Sequence, residues 1–136
     1  MTSRTTYVDA NILIAAFQAN GTTAEAALEI LDDPDRVFVI SAYLRLETVP
    51  KPTFHKRQVE IEFMETFFSA ASVDIESSSS VTSRAIEFAS RYDLSPVDAL
   101  HVSAAVAGCA DEFVTLEKPN KPLHQVEELT VVALLR

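Results

Sequence analysis

Short, nearly all-apolar runs alternate with longer amphipathic ones along the chain. Thr6-Tyr7-Val8, Val37-Phe38-Val39-Ile40, Glu112 to Leu116 and Leu129 to Leu135 are rich in β-branched and aromatic residues. Strands of that kind are buried on both faces, as in a parallel sheet. Ser72-Val73-Asp74-Ile75 predicts one more short strand. Between these runs the period lengthens. Ala10 to Phe17 reads as a buried helix or turn, and Asn20-Gly21 breaks it. Thr23 to Leu31 places Ala27, Leu28, Ile30 and Leu31 inward and Glu25 and Glu29 outward. Gln58 to Ala71 gathers Ile61, Met64, Phe67 and Phe68 on one helix face. Val81 to Tyr92 does the same with Ala85, Ile86, Phe88 and Ala89. A further helix, Ala42 to Glu47, is capped by Ser41 and is expected to stop before Pro50 and Pro52. Residues 32–35, Ser77 to Ser80 and Lys118 to Pro122 read as loops. Strands alternating with helices, with no repeat and no internal linker, predict one α/β domain over residues 1–136 with a mostly parallel sheet.

The sharpest local signal is Leu94-Ser95-Pro96-Val97-Asp98-Ala99-Leu100-His101. Ser95 is a helix N-cap, Pro96 fills the first helical position, and Asp98 falls in the first turn. The apolar residues from Ala99 onward predict a buried helix ending near Gly108. Taken alone, Ser95-x-x-Asp98 resembles a capping box, a purely structural use of an acid.

Three other acids change that picture. Asp9 ends the first strand, Glu117 ends the strand beginning at Glu112, and Glu47 lies one or two helical turns past Ile40. In open α/β sheets ligands bind beyond the carboxyl ends of the strands. Four carboxylates brought together there repel unless a cation joins them, and an all-oxygen set suits Mg²⁺ or Mn²⁺. His101 lies three residues past Asp98 on the same helix face, more in keeping with a core residue or a support to the acids than with a ligand beside hard oxygens. Each acid also has an ordinary use: Asp9 in a turn, Glu47 on a solvated helix, Glu117 paired with Lys118 or Lys121.

The chain has 136 residues, 48% of them hydrophobic, so disorder is excluded. No apolar run reaches the roughly 18 residues of a membrane span. Met1-Thr2-Ser3-Arg4 leads straight into a strand, so no leader is expected. The single cysteine, Cys109, allows no internal disulfide and is expected to serve packing; a reducing cytoplasm is the expected location. A formal net charge of −9 argues against a protein that coats nucleic acid. It leaves room for a nuclease whose site is itself acidic, because a bound metal reverses the local field. No acid occurs between Thr48 and Val59, where Lys51, His55, Lys56 and Arg57 lie. Lys118 and Lys121 follow Glu117. Two basic loops thus begin directly after candidate ligands, as phosphate contacts would require.

Val8-Asp9-Ala10-Asn11-Ile12-Leu13, Leu46-Glu47, Leu94 to His101 with Ala104 and Ala105, and Phe113-Val114-Thr115-Leu116-Glu117-Lys118 together resemble the ordered motifs of the PIN domain, most of all its VapC-like group. The resemblance spans nearly the whole chain. It implies a three-layer α/β/α sandwich around a parallel sheet and Mg²⁺- or Mn²⁺-dependent cleavage of RNA. Asp9, Glu47 and Asp98 match the three principal acids. Glu117 falls where the family more often has aspartate, and its extra methylene changes how it reaches a metal. Asn11 and Thr115 match positions that orient the carboxylates. A homodimer and an antitoxin partner are also implied, with an arginine of the partner entering the cluster of Asp9, Glu47 and Asp98. Helices carrying Phe63, Phe67 and Phe68 would serve as its groove or as core. The alternative is an inactive PIN-like scaffold that works through protein partners.

Overall fold

The computed structural model describes residues 3–18 and 20–134. Five strands form one sheet in the order β3-β2-β1-β4-β5, with every neighbouring pair parallel. These are β1 (Arg4–Val8), β2 (Arg36–Ser41), β3 (Val73–Ile75), β4 (Glu112–Thr115) and β5 (Thr130–Ala133). The helices are α1 (Ala10–Gln18), α2 (Gly21–Leu31), α3 (Ala42–Thr48), α4 (Pro50–Phe54), α5 (Gln58–Ala70), α6 (Ser79–Tyr92) and α7 (Pro96–Ala107). A 3-10 turn, Pro122–Gln125, precedes β5. The expectations at Met1, Thr2 and Leu135 fall outside the described residues.

The apolar strands work as their composition requires. Side chains alternate across the sheet, so neighbours along one strand enter different cores. Tyr7, Val39 and Phe113 join the core under α6 and α7, with Phe88 and Val102. Val8, Ile40 and Val114 join the other, with Ile12, Leu13, Leu44 and Met64 from α1, α3 and α5. Helices therefore cover both faces, giving the three layers. Each fully buried Phe, Leu, Ile or Val side chain contributes about 1.5–3 kcal/mol.

The stretch Pro50 to Arg57, expected to be a loop, instead contains α4. Pro50 and Pro52 fall in its first turn, where no backbone N–H is needed for helix bonding. Helix α2 begins two residues earlier than expected, at Gly21, whose φ of +75° turns the chain into it. Cys109 is exposed rather than packed. It takes the left-handed turn after α7, with φ +59°, while Gly108 keeps an ordinary φ of −85°.

The chain runs from β1 outward to β2 and β3, then returns to the other side of β1 for β4 and β5. That reversal makes the carboxyl ends of β1 and β4 the switch point of the sheet, where such folds open a ligand crevice.

Candidate active site

Asp9 stands at that switch point. It follows the last residue of β1, and its amide donates to the Val114 carbonyl at 2.9 Å, which locks the turn to β4. Its carboxylate is gripped on both oxygens. Oδ1 accepts the Ala10 amide at 2.9 Å. Oδ2 accepts the Thr115 hydroxyl at 2.9 Å and the Asn11 amide nitrogen at 3.4 Å. Asn11 in turn accepts the Leu116 amide at 3.2 Å. The two residues expected to orient carboxylates thus both hydrogen-bond Asp9.

Glu47 arrives by another route. Ser41 ends β2 and caps α3 by accepting the Leu44 amide at 3.1 Å. Glu47 lies in the final turn of that short helix, and its Oε1 meets His101 Nε2. One ligand atom each from Asp9, Glu47 and His101 lies within 4.8 Å of the others. Two carboxylate oxygens and an imidazole nitrogen are therefore close enough to share one cation.

Asp98 is placed by the predicted cap. Its amide donates to the Ser95 hydroxyl at 3.3 Å, with Pro96 at the start of α7. Among the described residues its carboxylate makes no hydrogen bond, so the capping box is only half used. Its charge is felt at Asp9, whose pKa is raised, first by burial and further by Asp98. The nearby His101, the Thr115 hydroxyl and the Ala10 amide oppose that shift. Crowding of acids, the expected cause, is present but secondary to desolvation.

Glu117 does not join the three-residue cluster. Its backbone is fixed, the amide donating to Thr115 Oγ1 at 3.0 Å and the carbonyl accepting His124 Nε2 at 2.9 Å. Its carboxylate bonds neither a lysine nor the other acids among the described residues. The four acids therefore do not all converge: Asp9 and Glu47 gather with His101, while Asp98 and Glu117 lie outside that cluster, Asp98 near enough for its charge to act on Asp9. His124, which carried no signal in the sequence, is what fastens the Glu117 backbone.

Sequence reading missed Tyr7. It is fully buried, and its hydroxyl lies 2.6 Å from His101 Nδ1 and 2.7 Å from Ser41 Oγ. Burial holds this phenol neutral by pushing its pKa well above the usual tyrosine value. The available signal was its position. Two residues before Asp9 on a strand, Tyr7 shares that residue's face, and a buried tyrosine hydroxyl needs a partner. Beside Glu47 a cleft of about 440 Å³ is lined by Thr48, Lys51, Arg57 and Glu60. Arg57 is 3.7 Å from Glu60.

The donor set fits a hard divalent cation. A buried carboxylate whose ionised form is disfavoured, a second within reach and a third adding repulsion leave a local negative excess that a cation offsets. No helix among the described residues is long and apolar enough to cross a membrane.

A model of the PIN domain matches residues 6–118. No curated protein matches the chain. Two solved structures resemble it closely in fold. VapBC2 from Rickettsia felis, bound to a promoter DNA fragment, is 20% identical, with 93% of this chain and 96% of that one covered at a TM-score of 0.70. A toxin–antitoxin complex from Klebsiella pneumoniae is also 20% identical, with 96% and 98% covered at a TM-score of 0.70. The acids at the end of β1, on α3 and at the entrance of α7, the parallel sheet that carries them and a family match over most of the sequence lead to one assignment: this chain belongs to the PIN domain family.

Proposed function

We propose that the protein is a divalent-metal-dependent endoribonuclease, the toxin half of a VapBC-type toxin–antitoxin pair. The observation that carries this reading is the gathering of Asp9 and Glu47 with His101 at the switch point of a parallel sheet, with the charge of Asp98 acting on Asp9 from the entrance of α7. The two solved relatives support the toxin assignment, one being VapBC2 and the other a toxin–antitoxin complex. Asp9, Glu47 and Asp98 are the ligands for Mg²⁺ or Mn²⁺, and Glu117 contributes from the rim to an outer position. When bound there, such a cation draws in the scissile phosphate, acidifies water and offsets charge on the leaving oxygen.

The chain's own groups do the rest. Thr115, Asn11 and the Ala10 amide hold Asp9 in one rotamer, so little reorganisation accompanies binding. The Lys51 and Arg57 side of the cleft beside Glu47 meets the RNA backbone through phosphate contacts, which position the strand without reading sequence. The partners are an RNA substrate, an antitoxin and a second copy of the chain. Arginine from the antitoxin suits the acidic cluster because its guanidinium bridges carboxylates bidentately. Phe63 and Phe67 are available for both expected roles, core and partner groove. They pack on the core and also line a cleft of about 470 Å³ with Phe17, Leu28 and Leu31.

The second reading is an inactive scaffold acting through partners, and the placement of Glu117 outside the cluster favours it. A cleavage assay on structured RNA with MnCl₂ separates the two. Wild type should cleave, and Asp98→Asn should lose cleavage by orders of magnitude while its circular dichroism and melting curve stay near wild type. Removing the acid from the helix entrance costs only about 0.3–1 kcal/mol, partly offset by reduced repulsion at Asp9. No Mn²⁺-dependent cleavage by wild type would leave the scaffold reading standing, and an active Asp98→Asn would make that residue only a cap.

A further inference from the structure

His101 is 0% exposed, yet both of its ring nitrogens are engaged. Nδ1 is 2.6 Å from the Tyr7 hydroxyl, and Nε2 meets Glu47 Oε1. Tyr7 continues to Ser41 Oγ at 2.7 Å, and Ser41 is the residue that caps α3. The path thus leaves the start of α3, crosses β1 and α7 through the core, and returns to the last turn of α3 at Glu47. Ser41, Tyr7 and His101 are all buried, and only the Glu47 side chain, 38% exposed, reaches the cleft.

Buried polar groups are costly unless each finds a partner. A neutral imidazole carries one donor and one acceptor, which fixes a self-consistent order. The Ser41 hydroxyl donates to Tyr7, the Tyr7 hydroxyl donates to His101 Nδ1, and His101 Nε2–H donates to the Glu47 carboxylate. Every buried donor is then used, and the only carboxylate in the path is the one facing solvent.

The three acids differ in how they are held. Asp9 is short and gripped by three donors. Asp98 is short and sits on a capped helix. Glu47 is long, half-exposed, and placed on the last turn of a seven-residue helix. Among the described residues, His101 is the one side chain that bonds its carboxylate. We infer that His101, backed by Tyr7 and Ser41, is the positioning residue that presses the Glu47 carboxylate against Asp9 and so preforms the cation site. This rests on the metal-dependent reading above. It adds that the affinity of the site is set in the core, on residues that touch neither substrate nor water.

Mn²⁺ titration calorimetry on the full chain tests it, with the melting temperature of each metal-free variant as companion. His101→Asn and His101→Gln both bury an amide and cost the fold similarly. The Asn amide nitrogen falls near the place of Nδ1, whereas the Gln amide nitrogen reaches the place of Nε2 and can still donate to Glu47. His101→Asn should weaken Mn²⁺ binding on the order of 10- to 100-fold, the usual effect of losing a group that orients a ligand. His101→Gln should recover most of that loss. Tyr7→Phe, which keeps the ring and removes only the hydroxyl, should weaken binding several-fold and carries the test if the His101 variants do not fold. On a Glu47→Gln background, His101→Asn should change nothing further. Wild-type affinity in both His101→Asn and Tyr7→Phe, equal affinity in the Asn and Gln variants, or an undiminished loss on the Glu47→Gln background would each overturn the inference while leaving the metal site assigned. No Mn²⁺ binding by wild type would overturn both.

Discussion

Gly108 closes α7 with an ordinary backbone, so its missing side chain serves close approach and not turning. A Cβ there would lie 2.5 Å from Val39 Cγ1 in the buried middle of β2. Gly108→Ala should therefore destabilise the protein by about 1–3 kcal/mol, the usual cost of overpacking a filled core. That lowers the melting temperature by roughly 2–8 °C per kcal/mol, and a thermal melt checks it. The helix stop at Gly108 was legible in the sequence. The reason for glycine was not, because it depends on a strand some seventy residues away. Asp9 illustrates the opposite sign. Its pKa is raised in the folded state, so its contribution is most favourable below the ordinary aspartate value, about 3.9, and is lost as pH rises through the folded value. In EDTA, Asp9→Asn should melt above wild type at pH 7, with the gap closing toward pH 4. A gap that does not change with pH would place the effect elsewhere than in the charge.

Elements were read well wherever periodicity is strong. Helices α5, α6 and α7 and strands β2 and β4 lie within a few residues of their expected bounds. Helix α4 was hidden because prolines punctuate a chain in the same way whether they end one helix or begin the next. The site divides along the same line. Asp9, Glu47 and Asp98 are anchored at element ends, which local pattern locates. Tyr7 and the placement of Glu117 depend on which elements become neighbours, and no local pattern carries that. One long connection is testable at this scale. The segment between β4 and β5 is tied to α6 by the Tyr92 hydroxyl, which donates to Glu128 at 2.6 Å and accepts the Glu127 amide at 3.3 Å. That hydroxyl, before the adjacent Arg91, holds the Glu128 carboxyl below its usual pKa. A lowered folded pKa gives stability that is present above the unfolded value, about 4.3, and lost as pH falls through the folded one. Tyr92→Phe should cost about 1.5–3 kcal/mol at pH 7, the usual worth of a hydrogen bond to a charged group, and distinctly less at pH 3. Urea unfolding at the two pH values measures the difference.

At the scale of the whole molecule, the acidic balance and the acidic site pull the same way. A net charge of −9 disfavours the compact chain through self-repulsion, and the switch point concentrates part of it around the buried Asp9. A divalent cation that binds the folded cluster, and hardly binds the dispersed acids of the unfolded chain, must raise stability by mass action. At a hundred times the dissociation constant the gain is about 2.7 kcal/mol. For a chain of this length that is several degrees or more in melting temperature. Generic screening also stabilises so acidic a protein, so the comparison is a melt in millimolar MnCl₂ against NaCl of equal ionic strength. Wild type should gain well beyond the salt control. Asp9→Asn and Asp98→Asn should keep the salt response and lose most of the additional gain, since each removes an anionic oxygen from the proposed site. Calcium should stabilise wild type as well without supporting cleavage, because its looser coordination orients water less strictly. An identical Mn²⁺ shift in wild type and both variants would put the cation elsewhere on the acidic surface, and the assignment of Asp9, Glu47 and Asp98 as its ligands would fall.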